Sequence, residues 1–391
     1  MYKEKLLTLA IAKELICSST CQEEIGSLLS ENKIDWIKFK DFIIYHDLTP
    51  FAYLVLKNFG SFLPFELKDF LKNNYYCSLV RNQNIWQEFI RIFEALGKAG
   101  IIIVPIKGVA LLKDIYTDKA IRQMTDIDLL IKAEDLKKAE GILCNLEYRK
   151  ELYGLKEDYW RKNQYHITFY KRGNSGLPFV ELHWDLDYKR KSRNMLPELW
   201  RRIRKIKSDG KIIELLSPED TFFSLALHNR RLGRTLCLKS AYDAALILKK
   251  YAADFDWDYV LKGSQEGKMN ATIFFLLSQM RLFSDSNIPK AVWKKLNIPF
   301  WKKRLIFQFI ANNSFLPQQN IQGKSLYLKT HFLIYDSFWE PIEYILNIPL
   351  EQFAKFYGID TYDEKTLLIY KRRLFYMPIK FIKDKLNVDL L

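Results

Sequence analysis

Asp126 and Asp128 stand two apart in the run Met124-Thr125-Asp126-Ile127-Asp128-Leu129-Leu130-Ile131. In a strand, side chains alternate, so both carboxylates would face one side while Ile127 and Leu129 face the other. Like charges this close repel, and one would take up a proton unless a cation lies between them. Hard divalent cations take oxygen ligands, and Mg²⁺ commonly combines one or two carboxylates with substrate phosphates. The pair therefore points to metal-assisted phosphoryl chemistry. An isolated Asp-x-Asp is more often a solvated strand end, so its setting decides the matter.

The neighbouring segments must position such a pair. Ile101 to Val104 is a short apolar run bounded by Pro105, which predicts a buried strand. A Lys107-Gly108 turn follows, where a residue without a Cβ lets the backbone approach something closely. Val109 to Tyr116 has apolar residues at helical spacing, and Ala133 to Leu143 reads as an amphipathic helix. Leu146-Glu147-Tyr148-Arg149 is a short strand, and Gln164 to Tyr170 alternates polar and apolar residues. Gly173-Asn174-Ser175-Gly176 then turns the chain into a returning strand, Phe179 to Asp185. On that strand Glu181, His183 and Asp185 share one face, and Trp184 points to the other. A purely structural strand does not need an acid between Val180 and Leu182. His166 carries no assignment.

Lys107-Gly108, Arg122, Asp126-Ile127-Asp128-Leu129-Leu130-Ile131 and Val180-Glu181-Leu182-His183-Trp184 together resemble the uncharacterised nucleotidyltransferase family of the DNA-polymerase-beta-like superfamily. The resemblance runs from about Ile34 to about Leu296. It implies an α+β fold: a small mixed sheet with helices, flanked by N- and C-terminal helical domains. It also implies Mg²⁺ or Mn²⁺ as cofactor, with two ions held by Asp126, Asp128 and Glu181, and Asp185 as the rival third carboxylate. In-line attack of an acceptor hydroxyl on the α-phosphorus of a nucleoside triphosphate would expel pyrophosphate. Gly108 and the amides opening the next helix would cradle phosphate oxygens, and Lys107 and Arg122 would add positive charge. His183 would orient Glu181 or act directly. The turn departs from the superfamily, with Lys107-Gly108-Val109 where Gly is usually followed by Ser or Gly. The gap from Gly108 to Asp126 is also long. Lys107 reads equally well as a solvated turn lysine.

At 391 residues the chain exceeds one ordinary core. The expected division is a helical domain over 1–98, a nucleotidyltransferase domain over 99–208, a helical domain over 209–299 and a basic, aromatic extension over 300–391. A 49% hydrophobic content argues against disorder, and a net charge of +15 favours anionic partners without choosing among them. The five cysteines form no paired framework, and Cys17-x₃-Cys21 lacks the partners of a zinc site. Lys13-Glu14 interrupts the first apolar run, so an amphipathic helix fits better than a signal peptide. No stretch reaches the ~20 apolar residues that span a bilayer. A cytoplasmic, reduced protein is expected.

Elsewhere the pattern is helical. Asp35 reads as an N-cap, Phe65 to Asn73 and Cys77 to Lys98 as two helices, and Ser217-Pro218-Glu219-Asp220 as a helix start. Lys189 to Arg193 and Arg201 to Lys207 are densely basic but poor in aromatics, which fits a solvated linker or an anion-steering rim. His228-Asn229-Arg230-Arg231 reads as an ordinary polar helix end, and residues 300–391 as packed amphipathic elements. The acceptor would be a small molecule, peptide or protein, with nucleic acid less favoured. Two other readings stay open. The same site could transfer another group, such as a sugar, from a nucleotide-activated donor, or the chain could be a silent antitoxin-like binding module.

Overall fold

The computed structural model describes residues 3–16, 21–31, 34–171, 176–187, 195–230, 236–284, 288–315, 324–357, 368 and 370–372. The fold is mixed α+β. Five strands, β1 (Val104–Ile106), β2 (Asp126–Leu130), β3 (Tyr148–Glu151), β4 (His166–Lys171) and β5 (Phe179–His183), form one sheet in the order β1-β2-β5-β4-β3. β2 and β5 run parallel, and every other pairing is antiparallel. One face of the sheet is wholly apolar: Ile127, Leu129, Ile167, Phe169, Val180 and Leu182 are all fully buried. Period-2 alternation therefore sends the acids of β2 and β5 to the opposite face.

The first strand begins three residues later than its apolar run suggests. Ile101 is consumed in closing the preceding helix: Gly100 (φ 76°) donates to Gly97 O, and Ile101 N donates to Leu96 O at 3.2 Å. This is a Schellman closure, which needs a left-handed residue just past the helix end. Pro105 then sits inside β1, which an edge strand tolerates. The helix itself is one continuous element, Phe65–Lys98, rather than two, because nothing between Asn73 and Cys77 breaks it. It touches β2 and the helix Leu136–Asn145.

The basic run expected as a linker is a hairpin, β6 (Arg204–Ser208) and β7 (Lys211–Leu215). Asp209 (φ 48°) and Gly210 (φ 76°) form its turn, the left-handed pair that a two-residue hairpin demands. Lys189 to Arg193, Cys17 and Gly173 to Ser175 lie outside the described residues.

Helices before and after the sheet share one core. Leu7, Ile11, Phe39, Ile43 and Ala52 belong to the same buried cluster as Phe222, Ala241, Phe274 and Leu277. His46 is buried within it and accepts a 3.3 Å hydrogen bond from Leu238 N at Nδ1. Desolvation pushes its imidazole down to about 3 despite an opposing backbone contact from Ser314. Two helix starts follow their sequence signals: Lys38 N donates to Asp35 Oδ1, and Asp220 N to Ser217 Oγ, both at 3.1 Å.

The chain forms two compact units. The first comprises residues 1–151 and 165–336 and contains the whole sheet. The second comprises 152–164 and 337–391. Within the second, Tyr159 Oη donates to Gln352 Oε1 at 2.9 Å, and Phe353 meets Tyr370 edge-on. Most of the chain beyond residue 357, the last part of the amphipathic elements expected over 300–391, lies outside the described residues. No helix among the described residues is long and apolar enough to cross a membrane.

Candidate active site

The pairing register assembles a polar cluster on the non-apolar sheet face. Asp128 lies directly opposite Glu181 across the parallel β2–β5 pair, and Asp126 precedes Asp128 on the same face. Asp126, Asp128 and Glu181 each offer an oxygen, and these oxygens lie within 4.8 Å of one another. Asp128 is almost fully buried, and Asp126 and Glu181 are half-buried.

Such crowding has an electrostatic signature. Burial, then the charges of Asp128 and Glu181, push the Asp126 carboxyl up from 3.8 to about 6; Lys107 and Lys239 oppose the shift. Glu181 behaves differently. Burial alone would raise its carboxyl, but the contact with His183 and the charge of His166 outweigh burial and hold it below the ordinary range.

Lys107 is drawn into this cluster, with Nζ donating to Asp128 Oδ1. Its backbone (φ 53°, ψ −119°) is one that L-residues rarely adopt, so the strain at this turn falls on Lys107 and not on the glycine. Gly108 opens the short helix Gly108–Asp114 and serves close approach. A Cβ there would stand 3.0 Å from Met124 Sδ and 3.1 Å from Arg122 Nη1. Gly108→Val is accordingly expected to destabilise the fold by about 1–3 kcal/mol, read as a lower urea midpoint; an unchanged midpoint would refute the tight packing.

Arg122 is bound to an acid outside the carboxylate trio, although its charge still reaches Asp126. Its guanidinium is buried and pairs with Asp243 through Nε (3.0 and 3.1 Å) and Nη2 (2.9 Å), while Tyr116 Oη donates to the same carboxylate. Asp185 lies beyond the end of β5 rather than on its face, and its Oδ1 accepts from Leu186 N at 2.7 Å. Among the described residues it joins no metal-capable group. His183 is fully buried, with Nε2 2.9 Å from Asp128 Oδ1 and 3.1 Å from Glu181 Oε2.

Two contributors to the site, and one buried arginine elsewhere in the first unit, escape sequence reasoning. His166 lies opposite His183 in the β4–β5 register, with their rings stacked 5.0 Å apart. Lys239 donates to Gln123 O at 2.9 Å and adds positive charge near Asp126. Arg230, expected at an ordinary polar helix end, is buried in an ion pair with Asp187 at 2.9 Å and donates to Thr272 Oγ1. Only the β4 alternation carried a signal, and it fixes which residues share a face without fixing what lies opposite.

A family model described as an uncharacterised nucleotidyltransferase matches residues 32–284, a span that includes the acids of β2 and β5. No curated protein matches the chain. With well over half of its length matched, the chain belongs to the uncharacterised nucleotidyltransferase family.

Proposed function

We propose that this protein transfers a nucleoside monophosphate from a nucleoside triphosphate to a hydroxyl of a small molecule, peptide or protein, using a polymerase-beta-like core. The reading rests on one observation: three carboxylates from two parallel strands converge within 4.8 Å. The donor set suits a hard divalent ion, since it is all oxygen, and burial together with the charges of Asp128 and Glu181 already pushes Asp126 up to about 6. Asp126, Asp128 and Glu181 would hold Mg²⁺ or Mn²⁺. Bound there, two ions would neutralise phosphate charge and lower the pKa of the acceptor hydroxyl.

The chain's own groups do the rest. His183, wedged between Asp128 and Glu181, fixes both carboxylates in place. The Arg122–Asp243 pair buttresses Gly108 from behind, which keeps the turn close to the carboxylates. Lys107 neutralises Asp128 in the free protein and turns to a triphosphate oxygen when substrate binds. Lys107→Met should therefore tighten binding of the metal ion alone by about tenfold and raise the KM for the triphosphate. Both effects are measurable, by calorimetry and steady-state kinetics. A variant that weakens metal binding would contradict this exchange.

The test is to incubate the chain with each labelled triphosphate, Mg²⁺ and a cell extract, beside an Asp126→Asn/Asp128→Asn control. Label transferred only by the unsubstituted chain supports the proposal. Consumption of a nucleotide sugar instead, or tight protein binding without turnover, would replace it.

A further inference from the structure

The carboxylate trio does not account for two imidazoles on the same face. β4 and β5 place His166 directly opposite His183, and Thr168 opposite Glu181, so both rings and the Glu181 carboxylate are adjacent on one surface. The rings are nearly parallel, at 23°, with centroids 5.0 Å apart. His183 is fully buried. Each of His166, Glu181 and His183 offers one ligand atom, and these atoms lie within 4.8 Å of one another.

We propose that His166, Glu181 and His183 form a second cation site that takes a divalent transition-metal ion in preference to Mg²⁺. The site shares Glu181 with the trio, so it rests on the reading above for that residue alone. Donor chemistry carries the choice of ion. Imidazole suits Zn²⁺, Ni²⁺, Cu²⁺ and neighbours such as Co²⁺, whereas Mg²⁺ and Mn²⁺ take carboxylate, carbonyl and water oxygens. The spacing agrees. His166 Nε2 lies 3.8 Å from Glu181 Oε1, too far for a hydrogen bond but within the span of one ion that bonds each at about 2.0–2.2 Å. His183 Nε2 lies 3.1 Å from Glu181 Oε2 and 2.9 Å from Asp128 Oδ1, so an ion bound here would replace the proton this nitrogen shares with the two carboxylates, which is released to solvent. Two neutral nitrogens and a shared carboxylate would thus add a softer site beside the all-oxygen one.

The experiment titrates the metal-stripped full chain with Co²⁺, following the visible absorption of the bound ion, and repeats the titration in excess Mg²⁺. A Co²⁺ band that survives excess Mg²⁺ is expected. His166→Gln should weaken Co²⁺ binding at least about 10- to 100-fold and remove the surviving band. Asp126→Asn should keep the band while losing Mg²⁺ binding. Because the histidine variant could misfold, Cu²⁺ bound to the unsubstituted chain is also examined by pulsed paramagnetic resonance, where a coordinated imidazole gives nitrogen modulation. Modulation supports the site, and its absence overturns it. A band that Mg²⁺ displaces, or that Asp126→Asn abolishes, assigns the ion to the carboxylate trio; this site then falls and the nucleotidyl-transfer reading stands. A retained band in an unsubstituted chain that binds no Mg²⁺ has the opposite consequence.

Discussion

Asp126→Asn is expected to abolish turnover and stabilise the metal-free protein at the same time. With Asp126 holding the metal as proposed, its loss should lower the rate on the order of 10³-fold or more. The stability effect follows from the carboxyl's rise from 3.8 to about 6, caused by burial and by the Asp128 and Glu181 charges. A group whose folded pKa is raised favours folding below its unfolded pKa, and that contribution is lost as pH rises through the folded value. The unsubstituted protein therefore bears the strain above about pH 6 and is free of it below 3.8. Removing the charge should gain on the order of 2–3 kcal/mol near pH 7.5, a gain that fades toward about pH 4. Denaturant titrations of both proteins at the two pH values check this. A variant that is less stable at neutral pH would show that the three acids do not repel one another.

Arg122→Ala should cause the largest loss of stability, about 3–5 kcal/mol, because it strands the buried Asp243 carboxylate without its guanidinium. The double variant Arg122→Met/Asp243→Leu should recover much of that loss, since an apolar pair of similar volume avoids the desolvated charges. Tyr116 Oη would still lose its acceptor, so recovery should be incomplete. Urea unfolding of the three variants decides the point. Equal destabilisation in the single and double variants would mean that the arginine matters through packing around Gly108 rather than through its charge.

What was legible in the sequence was local. Period-2 alternation was enough to put Asp126 and Asp128 on one face and Glu181 and His183 on another shared face. The register that brings the two faces together is long-range, and it came from resemblance rather than pattern. Ser217 and Asp35 announced their helices because a cap is a contact within three residues. The Asp209-Gly210 turn is equally local, a left-handed pair set among Lys and Arg residues whose charge is the stronger signal. Ile101 looked like strand because it is apolar, although its amide is committed to closing a helix. The pairing of Arg122 with Asp243 has no local signal, because the two lie 121 residues apart. Lys239 and His166 belong to the same class: their neighbours at the site are set by packing of distant segments, and no spacing rule reports that.

Counting Mn²⁺ ions bound to the chain, by paramagnetic resonance with and without a non-hydrolysable triphosphate, tests the central claim most directly. The convergence of Asp126, Asp128 and Glu181 predicts nucleotide-enhanced Mn²⁺ binding that Asp126→Asn/Asp128→Asn eliminates. Equal, nucleotide-independent binding by both proteins would contradict it.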